Sequence, residues 1–135
     1  MSDINALIVE YSKNPSNKYR IDHPTIHHRE ENRSCADIIE VFICLEDNVI
    51  MEWSFDWYMS IVATASASIF GESIIGKTVD EVLLLDEDYI KEFFGNDISP
   101  RRRNGSLMGL LATRNAFHLY QKDGIRDDFS DILSS

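Results

Sequence analysis

The chain has 135 residues, 44% of them hydrophobic, which suits one domain able to bury a core without disulfide or metal staples. Thirteen Lys and Arg stand against 23 Asp and Glu, and a formal net charge of −10 argues against nucleic acid or an anionic membrane as main partner. No apolar run reaches spanning length, the start of the chain lacks a signal-peptide pattern, and two cysteines make no disulfide framework, so a reduced, cytoplasmic setting is expected.

Ile4, Leu7, Ile8 and Tyr11 fall on one face of a first helix. It must end before Asn14-Pro15, because the residue preceding a proline is pushed out of helical geometry. Residues 18–32 are polar, carry His23, Pro24, His27 and His28, and read as a loop with one short edge strand. Next, Ile39, Val41, Ile43 and Leu45 alternate with Ile38, Glu40, Phe42 and Cys44. Glu46-Asp47-Asn48 turns this run into Val49, Met51, Trp53 and Phe55, and period-two alternation across a short polar turn is a hairpin signature. From 60 to 74 small residues at helical spacing predict a helix that packs closely on a sheet, with Gly76 as its stop. Thr78-Val79-Asp80-Glu81 is a capping box opening another helix, and residues 107–120 read as the final one. Residues 1–122 then form a single domain, and 123–135, with Asp127, Asp128 and Asp131, an acidic flexible tail. The expected fold is α+β: a small, largely antiparallel three-stranded sheet with helices packed on one face.

Gly71-Glu72-Ser73-Ile74-Ile75-Gly76-Lys77-Thr78 matches the phosphate-binding P-loop, and Leu83-Leu84-Leu85-Asp86 imitates a Walker B strand. A P-loop works by aiming backbone N–H groups at phosphate between a strand and a helix. Here the preceding segment is rich in Ala and Ser, and the spacing leaves no room for a parallel crossover. The stretch reads instead as a helix, a turn at Gly76 and a new capped helix.

Four pieces in chain order carry a resemblance. Tyr11-Ser12-Lys13-Asn14-Pro15-Ser16-Asn17 is similar to an Asn-Pro-x-Asn element, and Cys35-Ala36-Asp37 to a Cys-Gly-Asp element. The stretch from Phe55 to Gly76-Lys77-Thr78-Val79-Asp80-Glu81 looks like a Phe-x-x-x-Gly-Cys helix ending in Gly-Lys-Ser/Thr-x-Asp-Glu. Ile98-Ser99-Pro100 through Ser106-Leu107-Met108-Gly109 resembles a segment carrying His-Cys-Ser. These pieces belong to the U-type iron–sulfur cluster assembly scaffolds (NifU amino-terminal/IscU/SufU-like), which the chain resembles from about Tyr11 to Tyr120. The resemblance implies a cluster or zinc site at Cys35 and Asp37, with the second family cysteine falling on Ser60, the third on Gly105 and the preceding histidine on Asn104. Clusters are held by thiolates, so a chain with Ser60 and Gly105 is expected to hold no stable two-iron cluster as a monomer.

Other residues complete the expectations. His27 and His28 precede Cys35 and offer imidazole ligands for zinc or iron. Cys44 reads as a small buried strand residue, and His118 as a surface or interfacial one. Arg101-Arg102-Arg103 is the one basic run, either solvated or a docking patch for an acidic protein. Trp57 and Tyr58, with Trp53 and Met59, either fill an emptied pocket or form a partner-binding patch. No triad, metal-ligand helix or paired-carboxylate signature supports an enzyme. The leading expectation is a scaffold-like protein, degenerate at its cluster site and acting as an accessory or partner-binding member. By resemblance its partners are a cysteine desulfurase or another assembly protein, and a homo-oligomer stays open. The alternatives are a sulfur- or metal-handling protein with Cys35 as persulfide acceptor, or a stand-alone interaction module.

Overall fold

A computed structural model of the chain describes residues 4–33, 36–95 and 98–134. Strands β1 (Ile26–Asn32), β2 (Asp37–Glu46) and β3 (Val49–Asp56) form one antiparallel sheet in the order β1-β2-β3. Asp47 and Asn48 close the β2–β3 hairpin with φ of 52° and 61°. Two successive left-handed residues give a turn whose twist matches its strands, and Asp and Asn tolerate that conformation well. The alternation holds: Ile39, Val41 and Ile43 are fully buried. Phe42 faces the other way and is covered by the Arg20 guanidinium, 5.3 Å from its ring centroid, and by His27.

Helix α1 (Ile4–Lys13) packs on α2 (Ile61–Ser73), which lies beside α6 (Met108–Gln121) on the inner face of the sheet. The small residues set these distances. A Cβ at Gly71 would come within 2.0 Å of Trp53 Cε3, so the indole fits only over a glycine. Trp53 Nε1 then donates to Thr113 Oγ1 at 3.0 Å, tying β3 to α6.

The Gly71–Thr78 stretch is the end of α2, a turn, and the N-cap of α3 (Val79–Val82). The Gly76, Lys77 and Val79 amides donate to Ile50, Ile74 and Asn48 carbonyls at 2.8, 3.0 and 3.0 Å, which leaves none of the three to cradle a phosphate. Thr78 and Glu81 form the expected capping box.

The long helix expected over residues 107–120 is α6, and the one-turn helix α5 (Arg103–Ser106) precedes it with Leu107 between them. One expectation fails. The acidic end is no loose tail. It forms α7 (Phe129–Ile132), and Ile132 is buried in the core. Asp127 is 7% exposed and meets Arg114 Nε at 2.8 Å and His118 Nε2 at 3.0 Å, while His118 Nδ1 lies 2.7 Å from Asp123. The charges that hold this segment sit on α6, so the segment's own composition gives no sign of them.

Candidate functional site

The candidate site lies where β2 and α2 both begin. Ile38 N–H donates to the Tyr58 carbonyl at 2.8 Å, and Ser60 N–H donates to Asp37 Oδ1 at 2.8 Å, pinning the β3–α2 loop to the start of β2. Ser60 is the N-cap of α2, its Oγ accepting the Ala63 N–H at 3.2 Å. Gly105, on α5, faces both residues. A Cβ at that position would lie 3.2 Å from Asp37 Oδ2, 3.6 Å from Ala63 Cβ and 3.7 Å from Ser60 Oγ. Asp37 is 2% exposed and its Oδ2 has no hydrogen-bond partner among the described residues. An unpaired buried carboxylate oxygen costs free energy, and such costs gather at functional sites.

Backbone strain falls in the same place. Ala36 has φ of 56° and Trp57 has φ of 91°, left-handed values that L-residues other than Asn and Asp rarely adopt. Cys35, the cysteine of the Cys-Ala-Asp element, lies outside the described residues.

Asp37, Ser60 and Gly105 are therefore neighbours. Residues 4–126 match the family of the NifU-like N terminal domain. The chain belongs to this family. It is 29% identical over 102 residues to the iron–sulfur cluster assembly scaffold protein IscU of Thermotoga maritima, covering 75% of this chain and 72% of that protein. With the scaffold protein IscU 1 of Archaeoglobus fulgidus it shares 23% identity over 125 residues, covering 93% and 82%. Two solved structures have the same fold. A SUF-system scaffold protein from Fervidobacterium islandicum AW-1 superposes with TM-score 0.71 at 23% identity, covering 82% of this chain and 93% of that one. The N-terminal part of a NifU-like protein from Brucella abortus gives TM-score 0.71 at 16% identity, covering 87% and 94%.

In this NifU-like domain the histidines are not brought to Asp37. His28 pairs with Val41 and His27 with Phe42, four and five positions from Asp37 along β2, roughly 13–17 Å at strand rise. Adjacent strand residues also point to opposite faces. His27 is exposed with Nδ1 3.2 Å from Glu40, while His28 turns inward with Nε2 2.8 Å from Glu30. The expected pair of imidazole ligands is thus split. Among the described residues no group of three or more His, Cys, Asp or Glu is placed to hold a metal ion.

The arginine run is divided as well. Arg101 and Arg102 are exposed in a 3-10 turn. Arg103 instead grips Glu87 of α4 (Glu87–Phe94) with Nε and Nη2, and donates to the Ser134 carbonyl at 3.0 Å. Its side chain is an internal tether between α4, α5 and the end of the chain.

Tyr58 and Trp57 do not plug the site. Tyr58 is 79% exposed, and Trp57 turns its Nε1 to Glu40 at 2.9 Å under Arg29, whose guanidinium lies 4.6 Å from the indole centroid. Glu40 is the hub that sequence reasoning missed, since it also takes Arg20 at 2.9 Å and His27. A charged residue on the outward face of an apolar strand is the one signal that could have marked it. Cys44 is half-buried rather than shielded, because it faces outward opposite Glu52, beyond the inner core.

Proposed function

We propose that this NifU-like domain serves iron–sulfur cluster assembly as an accessory, partner-binding member of the scaffold family. In this reading its cluster site is degenerate. The supporting observation is what Asp37, Ser60 and Gly105 do at their meeting point. The Ser60 hydroxyl caps α2, Asp37 Oδ1 takes the Ser60 amide, and Gly105 has no side chain, which leaves Asp37 Oδ2 as the trio's unengaged donor atom. A serine proton is held too tightly to be lost near neutrality, so position 60 supplies no anionic ligand comparable to a thiolate. The iron–sulfur cluster is cargo here, and the domain's task is contact with the proteins that make and receive it. Exposed Tyr58 and half-buried Trp57, beside the site, offer the contact surface.

A second reading makes Cys35 a persulfide acceptor. Asp37 Oδ2, without a partner among the described residues and two residues from Cys35 in sequence, favours it by offering an acceptor to a sulfur-bound proton. Sulfur transfer breaks the donor's S–S bond as the Cys35 thiolate forms a new one, and the donor leaves as thiolate. Anaerobic incubation with a cysteine desulfurase and cysteine, followed by gel filtration and intact mass, tests both readings. Co-elution is expected. A persulfide lost in Cys35→Ala adds the acceptor role, and co-elution without it supports the accessory role alone. Absence of both leaves the stand-alone interaction module and overturns the proposal.

A further inference from the structure

We propose that Arg29, Arg33 and Arg126 form a binding pocket for a small phosphoryl ligand beside β1. The three arginines come from β1, the turn after it and the segment following α6, and with Glu30 and Glu31 they line an open pocket of about 440 Å³. Three cations against two carboxylates give a locally positive spot on a chain whose formal net charge is −10.

Hydrogen-bond capacity decides what fits. Glu30 is 5% exposed, and its Oε1 is already taken by His28 at 2.8 Å and Asn115 Nδ2 at 2.7 Å. Burial pushes its carboxyl up, but the hydrogen bonds from His28 and Asn115 and the charge of Arg126 outweigh it, so Glu30 stays ionised as a fixed floor. Each guanidinium carries five N–H donors. Arg126 gives one to Glu30 Oε2 at 3.3 Å, Arg29 gives one to Glu31 at 2.9 Å, and Arg33 gives none to the described residues. Most donors in the wall are therefore not engaged by the described residues. Three forks from three chain positions suit a tetrahedral group with several acceptor oxygens, whereas a planar carboxylate is satisfied by one fork. The remaining negative charge repels extended polyanions, while a small ligand feels chiefly the charges within a screening length of roughly 8 Å. Free phosphate and the phosphoryl group of a small metabolite share this chemistry. The inference does not depend on the cluster site.

The test is titration of the whole chain with inorganic phosphate, pyrophosphate and ADP, followed by amide NMR and calorimetry, with a hexaglutamate peptide as competitor class. Saturable binding that moves residues 29–33 and 126 is expected. Preference for inorganic phosphate or pyrophosphate identifies a free anion as the source, and preference for ADP a phosphorylated metabolite. Arg33→Ser, which removes no bond to the described residues, should weaken binding by roughly tenfold, and Arg33→Ser with Arg126→Ser by more. Unchanged circular dichroism of Arg33→Ser serves as the folding control. No saturable binding, unchanged affinity in Arg33→Ser, or tighter binding of hexaglutamate overturns the proposal.

Discussion

At Ala36 the backbone holds φ of 56°, a conformation that costs a residue with a Cβ about 1–2 kcal/mol. Glycine bears no such cost, although it loses more freedom on folding. Ala36→Gly is therefore expected to raise stability by about 0.5–1 kcal/mol in urea unfolding. A destabilised variant would show that the turn into Asp37 is not strained by the alanine. Ser60 shows how far a sequence carries a site. The order of the motifs around it suggests a match to a family ligand position, and we keep that match as a proposal. That its hydroxyl caps α2 while its amide holds Asp37 was not legible, because both bonds depend on how β2 and α2 meet. His27 and His28 were misplaced for a related reason. Nearness in sequence says nothing of register, and the register places them far along the strand.

Among the elements, the hairpin was legible because period-two alternation flanks a turn of left-handed-tolerant residues, and α2 because its small residues repeat at helical spacing. Helix α7 was not, since a single turn has no period to detect. Its role is testable. Ile132 is fully buried, and Ile132→Ala should cost about 2–5 kcal/mol. A change under half a kcal/mol, on the scale of a surface substitution, would restore the loose acidic tail.

The α4–α5 junction makes a second prediction. Hydrogen bonds from Arg103 hold the Glu87 carboxyl down to about 2 against its burial, helped by the Ser134 amide and hydroxyl. A carboxyl depressed on folding contributes stability above its unfolded value near 4.3. That contribution is lost as pH falls through the window from about 5 to about 2. Arg103→Ala should therefore cost about 1–3 kcal/mol at neutral pH and flatten the acid-side slope across that window. An unaltered slope in pH-dependent unfolding would remove Glu87 as its source.

At the scale of the molecule, the family and the fold belong to the core, while the chemistry is decided by a handful of residues at one junction. The sheet and helix order could be read from hydrophobic pattern and motif order together. The state of the site could not, because a Ser and a Gly at the proposed ligand positions fit either a packed junction or a pocket awaiting repair. We propose that the site is open to repair: Tyr58 stands in solvent, and a Cβ at position 105 would meet Asp37 Oδ2 at 3.2 Å, a contact that a small shift of the carboxylate relieves. Anaerobic reconstitution with iron and sulfide, then desalting and assay of both per monomer, tests the proposed degenerate site most directly when run on the native chain beside Ser60→Cys/Gly105→Cys. The account predicts that the native chain keeps no cluster through desalting while the double variant retains one. A native monomer holding iron and acid-labile sulfide in near-stoichiometric amounts would contradict it.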